Sequence, residues 1–415
     1  MGYNVKELQR KGMDAVNKTT DGVETVVNNT VGDIRNILGH VSECAAHIDQ
    51  IRILALHRAI QYHSTAMQAM IAAEIIPTKL VEDVLNKLLG DDTLPEPRRP
   101  RLLHLHNPEV VWKGGSYNIT EFDIQKDDIN PQRTPYIFVH GMMFSADDSS
   151  AYDFYKQFEL EARMFNNDTG ANYSHADIYL VSYDSDLTDE LKLLVRKGIE
   201  VIVRDTVIGD DAEFLYFAVL WRIMVERAEN AGRVIAPFLE RLARLDAPKP
   251  VKGKAISHSL GDYVIANASK IFLNQYPNLK VFNNWWCMAS ALPADAFTNT
   301  GSYTISPKIA VNQENPEAKP GTILWFSRMD AILSYIFPSA NNGSLALGVT
   351  GALEHTYPLY NLDVTACTHI THMGKDGYFR LLGKSIRFRL GTELWPGLLC
   401  EDLWPMFSGN PVAKI

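Results

Sequence analysis

The chain is poor in cysteine, in long apolar runs and in excess positive charge. Its four cysteines, Cys44, Cys287, Cys367 and Cys400, are scattered and form no CxxC pair. That spacing suggests neither a disulfide framework nor a zinc cluster. Cys287 and Cys367 lie in apolar, strand-like runs and read as core thiols. No apolar run is long enough to span a bilayer, and the opening MGYNVKELQRKGMD has no apolar signal core. The expectation is a soluble chain made in the cytosol, with signal-independent export left open. Gly2 opens no myristoylation motif, because residue 6 is Lys. The Asn-x-Ser/Thr triplets, as at 118–120, have meaning only in a secreted chain. Lys and Arg number 40 against 49 Asp and Glu, for a net charge of −9, and no basic stripe interleaves with aromatics. A nucleic-acid partner is therefore not expected.

What is present begins with a helical third. Over residues 1–90, Val23, Val27, Val31, Ile34, Leu38, Val41, Ala45 and Ile48 recur at steps of three and four. This is a heptad-like seam that continues to Pro77, followed by a short helix at 78–89 closed by Gly90. Such an extension packs on the body of its own chain or docks a protein partner. His40, His47, His57 and His63 are spread along it and read as surface or packing residues. The segment 91–101, DDTLPEPRRPR, is rich in Pro and charge and marks the best boundary in the chain. The alternating stretch after it, turning at Gly114-Gly115, predicts an opening β-hairpin, so that 91–134 forms a linker and hairpin. His104 and His106 share a strand face but have no third ligand nearby, so no metal site is expected.

Residues 135–415 read as one α/β domain. The runs PYIFVHG (135–141), ADIYLVSY (176–183), 251–256, 279–291 and GTILWF (321–326) are short and apolar, as strands buried on both faces should be. A last strand is expected at 362–367, and helical stretches alternate with the strands. The pattern predicts a doubly wound, mostly parallel sheet. The interval 184–250 is too long for one crossover helix and implies a helical cap insertion at about 185–250. Within it FLYFAVLWRIMV (214–225) is apolar nearly all round, broken only by Arg222. Either this helix is buried between cap and sheet, or it is a lid that opens onto an acyl chain or a lipid surface, with transient membrane contact.

The chemistry centres on residues 254–266, KAISHSLGDYVIA. Here a buried strand passes into a helix with no loop between, and Ser259 sits at the join. So sharp a bend pushes the apical side chain clear of both elements and needs small neighbours two places either side, here Ser257 and Gly261. This is the form of a nucleophile elbow; the plain alternative is a helix N-terminus capped by Ser257 or Ser259. A serine nucleophile needs a base, and the base needs an orienting acid. The acid is expected to be Asp330, just past the 321–326 strand, with Asp295 as the alternative; either could instead be a helix N-cap. The base is expected to be His372, with His369 as the alternative, and their His-x-x-His spacing alone does not argue for zinc. His258 should point away from the apex and pack under the loops. No metal and no organic cofactor is required.

The order Ser259, Asp330, His372, with FVHG at 138–141 and ISHSLG at 256–261, resembles the α/β-hydrolase superfamily, and within it the lipase and esterase branch. The resemblance covers about 135–379 and departs at Ser257, where the superfamily usually has Gly. It implies an α/β-hydrolase fold with a helical N-terminal extension and a helical cap. It also implies an oxyanion hole formed by the backbone N–H groups of Met142 and Leu260. Lipase-like hydrolases with helical extensions and no signal peptide include bacterial antibacterial effectors, which this chain resembles in arrangement and not in motif. The expected activity is hydrolysis of lipid or other small apolar esters through an acyl-enzyme. Acyl transfer by the same triad, or a binding role through the helical arm on an inactive scaffold, are the alternatives.

Overall fold

The computed structural model describes residues 96–106, 117–142, 144–166, 176–186, 210–245, 253–311, 321–327, 337–341, 344–353 and 358–363, and single positions at 193, 195, 330, 333 and 378. The helical extension expected at 1–90 and the turn at Gly114-Gly115 lie outside the described residues.

Eight strands form one sheet: β1 (Arg101–Leu105), β2 (Ile119–Glu121), β3 (Thr134–Val139), β4 (Ala176–Ser182), β5 (Gly253–His258), β6 (Phe282–Met288), β7 (Thr322–Phe326) and β8 (Leu359–Asp363). Their spatial order is β2-β1-β4-β3-β5-β6-β7-β8. Strands β3 to β8 run parallel, whereas β1 is antiparallel to both β2 and β4. The layout is the mostly parallel α/β sheet that the sequence predicts. Every position of β4, β5, β6 and β7 is buried, which explains why these strands read as apolar runs and not as alternating ones.

Two details differ from the sequence reading. The hairpin β1–β2 joins the main sheet through β4, and β1 opens at Arg101, inside the stretch read as linker. Strand pairing across the edge outweighs the local Pro and Arg composition. The last strand begins at Leu359, opposite Thr322 of β7, three residues before the apolar run that was expected to form it. His104 is bound across the sheet: its Nε2 lies 2.6 Å from Asp177 Oδ1, and Tyr179 donates its hydroxyl proton to Asp177 Oδ2 at 2.7 Å. Burial pushes the Asp177 carboxyl up, but these hydrogen bonds outweigh it and hold the group below the usual carboxylate range. His106 Nε2 meets Thr120 Oγ1 at 2.6 Å.

Three long helices flank the sheet: α1 (Asp148–Asn166), α2 (Asp210–Ala243) and α3 (Gly261–Gln275). Helices α2 and α3 lie side by side and run the same way. Asn267 donates its side-chain N–H to Glu229 O at 2.7 Å, and Tyr276 donates its hydroxyl to Glu240 Oε1 at 2.7 Å. At Gly232 the backbones nearly touch, since a Cβ there would lie 2.7 Å from Val264 O and 2.9 Å from Asn267 Cβ. Gly232 therefore stands one or two turns below the start of α3, yet about 33 Å below the start of α2 at 1.5 Å per residue. The N-terminal part of α2 thus extends about 20 Å past the carboxyl ends of the strands. It carries the apolar segment 214–225, in which Ala218, Val219, Leu220, Trp221, Ile223 and Met224 are buried and Arg222 is exposed. Among the described residues, no helix is long and apolar enough to cross a membrane.

Gly232→Val places a branched side chain against Val264 O, and overpacking of this kind costs about 1–3 kcal/mol. Valine is a slightly better helix former than glycine, so a loss of stability in urea unfolding would isolate the steric term; unchanged stability would show that the two helices are not in close contact.

Candidate active site

Strand β3 marks the point where the sheet reverses its direction of growth: the chain steps from β3 to β4 on one side and resumes with β5 on the other. The crevice outside the carboxyl ends of β3 and β5 is where doubly wound sheets place their sites. Val139 pairs with Ser257, so the segments leaving these two strands emerge side by side.

At the end of β5, Ser259 adopts φ 55°, a left-handed conformation that non-glycine residues rarely take. Such a residue costs about 1–3 kcal/mol and is held only by its surroundings. Ser259 N–H donates to Met288 O at 2.9 Å, and Ser259 O accepts from Asp262 N and Ala291 N, each at 3.2 Å. The bend also requires glycine at 261, because a Cβ there would lie 2.5 Å from Val139 O and 2.6 Å from His140 O. The N-cap position of α3 is Leu260, and no side-chain hydrogen bond caps the helix. Serine at this junction is therefore not acting as a cap.

Ser257, two places before the apex, forms part of a buried polar cluster. Its hydroxyl bonds Asp262 Oδ1 and accepts the indole N–H of Trp285 at 2.8 Å. Asp262 is fully buried in the first turn of α3, and loss of hydration pushes its carboxyl up to about 8, against the opposing hydrogen bonds of Ser257 and Ser290. It is therefore protonated at neutral pH. Nothing in the local pattern points to this, since an Asp in a first helical turn ordinarily reads as an ionised, dipole-favoured group.

The loop after β3 presses against the elbow. A Cβ on Gly141 would stand 2.9 Å from Ser259 Cβ and 3.0 Å from His258 Nδ1. His140 is buried and stacks on Tyr183, with ring centroids 4.5 Å apart and planes 2° from parallel. Its Nδ1 donates to Gly141 O at 2.9 Å, and Tyr183 donates its hydroxyl to His140 O at 2.9 Å. Burial pulls the His140 imidazole down to about 4, so it is neutral at pH 7. Among the described residues, neither the N–H of Met142 nor that of Leu260 meets an acceptor. On the far side of this loop, Arg227 of α2 pairs with Asp184 at 3.2 Å.

The two candidate acids part company. Asp330 lies just beyond β7, on the same rim as Ser259, and is 2 % exposed; its Oδ1 accepts the N–H of Leu333 at 3.0 Å. Asp295, after β6, is exposed. His369 and His372 lie outside the described residues. Six residues past His372, Tyr378 is buried with its ring centroid 6.0 Å from that of His258, beside the elbow. His258 itself packs among Phe154, Tyr378 and Gly141, beneath the loops.

No protein-family model and no curated protein matches the chain in sequence. In structure it is distantly similar to esterases. Carboxyl esterase 2 of the mycorrhizal fungus Tuber melanosporum matches with 12% identity and a TM-score of 0.32, over 75% of this chain and 98% of that one. The hyperthermophilic esterase of the archaeon Pyrobaculum calidifontis matches with 11% identity and a TM-score of 0.29, over 80% of this chain and 97% of that one. Likenesses this slight assign no residue role and no substrate, and the functional reading rests on this chain's own geometry.

The Asp262 carboxyl sets a pH dependence whose sign follows from its proton. Its unfolded value is near 3.8 and its folded value about 8, so the folded chain retains a proton that the unfolded chain releases, and stability falls as pH rises through that window. His140 acts oppositely, but only between about 4 and 6.5. Among the described residues the Asp262 contribution is the largest between pH 6.5 and 8, and it amounts to about 2 kcal/mol of lost stability. Urea unfolding at the two pH values should show that loss in the wild type and a flat response in Asp262→Asn; equal slopes in both proteins would refute the assignment.

Proposed function

We propose that this chain is a serine hydrolase of carboxylic esters, in which Ser259 is the nucleophile, His372 the general base and Asp330 the acid that orients it. The observation that carries the reading is the left-handed Ser259 at a strand-to-helix join, with the Gly141 backbone packed against it. Strain of this kind at a rim position is rarely retained without a use. The buried Asp330 on the same rim favours it over the exposed Asp295 as the third member. The return of the chain to the elbow at Tyr378 supports a base from the segment just before it, His372 or, in its place, His369.

In the reaction, Ser259 Oγ attacks the ester carbonyl carbon as the imidazole takes its proton. The carbonyl electron pair moves to oxygen, and the backbone N–H groups of Met142 and Leu260 receive that oxyanion. Collapse expels the alcohol, which leaves with the proton from the imidazole, and water then repeats the sequence on the acyl-enzyme. Each oxyanion donor of this type contributes about 3–4 kcal/mol to the transition state. Neither a metal ion nor an organic cofactor enters these steps.

The substrate class follows from the cover. Ser259 is 7 % exposed, and α2 carries its apolar segment past the rim, with Trp221 against Phe337 at a ring distance of 5.6 Å. A largely buried hydroxyl on a rim that also carries buried apolar side chains suits an ester with an apolar acyl group, such as a lipid, better than a small polar one.

A fluorophosphonate probe should label the wild type and leave Ser259→Ala unlabelled, and equal labelling of both would end the proposal. His372→Ala should lower kcat by a factor of about 10³ or more while His369→Ala retains most of it, and the reverse result would exchange their roles. In a chain-length series of nitrophenyl esters, activity should peak at medium or long acyl groups. A peak at acetate would remove the lipid assignment and leave the triad intact.

A further inference from the structure

The segment that follows β4 grips the loop that follows β3. Ser185, fully buried, is central to that grip. Its Oγ lies 2.7 Å from Gly141 O, 3.1 Å from Phe144 O and 3.3 Å from Phe144 N, and its backbone N–H donates to Phe144 O at 2.9 Å. On one side Tyr183 holds His140 O, and on the other Ser145 Oγ reaches Asp186 Oδ2 at 3.3 Å.

The Gly141 carbonyl and the Met142 N–H belong to the same planar trans peptide and point in opposite directions. Whatever fixes that carbonyl therefore fixes the direction of the N–H. Two donors converge on it, His140 Nδ1 at 2.9 Å and Ser185 Oγ at 2.7 Å. Hydrogen bonds to a carbonyl oxygen also polarise the amide and strengthen its N–H as a donor. The His140 bond comes from the adjacent residue and swings with the loop. Ser185 is anchored in another part of the sheet and supplies an external reference.

We propose that Ser185 is a positioning residue for the oxyanion hole: its hydroxyl holds the Gly141–Met142 peptide so that the Met142 N–H faces the developing oxyanion. The inference rests on the hydrolase reading, in which that N–H is a donor. Ser185 touches no reacting atom; its effect passes through one peptide plane.

The test compares wild type, Ser185→Ala and Tyr179→Phe with the best nitrophenyl ester and with a trifluoromethyl ketone, which forms a tetrahedral adduct on a serine hydroxyl. Ser185→Ala should lower kcat about 10- to 100-fold, keep KM within about twofold, and weaken binding of the ketone by the same factor as kcat. Tyr179→Phe removes a buried hydroxyl from β4, the strand that leads to Ser185, away from the rim, and should lower stability without changing kcat. If Ser185→Ala does not fold, Ser185→Cys keeps the volume with a weaker donor and should fall between alanine and wild type. Unchanged kcat in a folded Ser185 variant would overturn the proposal, as would a kcat loss matched by Tyr179→Phe. Failure of the hydrolase reading would appear separately, as a wild type that neither turns over esters nor takes up a fluorophosphonate probe.

Discussion

The site depends on a steric constraint, the near-contact of two backbones at the point where the sheet reverses. Gly261 has no room for a Cβ between itself and the carbonyls of Val139 and His140, and Gly141 has none between itself and Ser259. These two glycines let the strand ends after β3 and β5 close on one another. The closure holds Ser259 in a left-handed conformation that would otherwise relax. The buried sheet beneath, with Trp285, Trp286 and Trp325 fully enclosed, supplies the rigidity that retains such strain.

The polar cluster under the elbow shows how a departure from the usual small residue is accommodated. A serine at 257 brings a hydroxyl into the core, where an unbonded polar group costs a few kcal/mol. Trp285 N–H and the Asp262 carboxyl both bond it, and burial keeps Asp262 protonated against that bond. Three residues from two strands and a helix thus meet at the base of the bend, and between them they bond the Ser257 hydroxyl.

Much of this was legible in the sequence. Strands buried on both faces are short apolar runs, so β3, β4 and β7 could be read almost to the residue and β6 within a longer apolar stretch, and the strand-to-helix join was suggested by the spacing of Ser257, Ser259 and Gly261. Strand β1 was less legible because its pairing with β4 is set by residues about 75 positions away, and its first residue sits in a Pro- and Arg-rich stretch. The buried state of Asp262 and the grip of Ser185 were not legible at all. The first depends on how β5, β6 and α3 close around the carboxyl and the Ser257 that bonds it, and the second on Gly141, 44 positions away. A small polar residue just past a buried strand, as in the YDSD that follows β4, is the kind of signal that points to such a contact.

The ion pair between Arg227 and Asp184 gives the long helix α2 a second anchor, above its contact at Gly232. With two fixed heights along its shaft, the helix cannot pivot as a whole without breaking a largely buried pair of charges. Beyond Arg227 the helix runs about 25 Å further to Asp210, and the buried Trp221 ring, edge-on to Phe337, ties that length down as well. Held at three levels, the shaft is a fixed post beside the sheet, and a load on any one tether is shared by the other two.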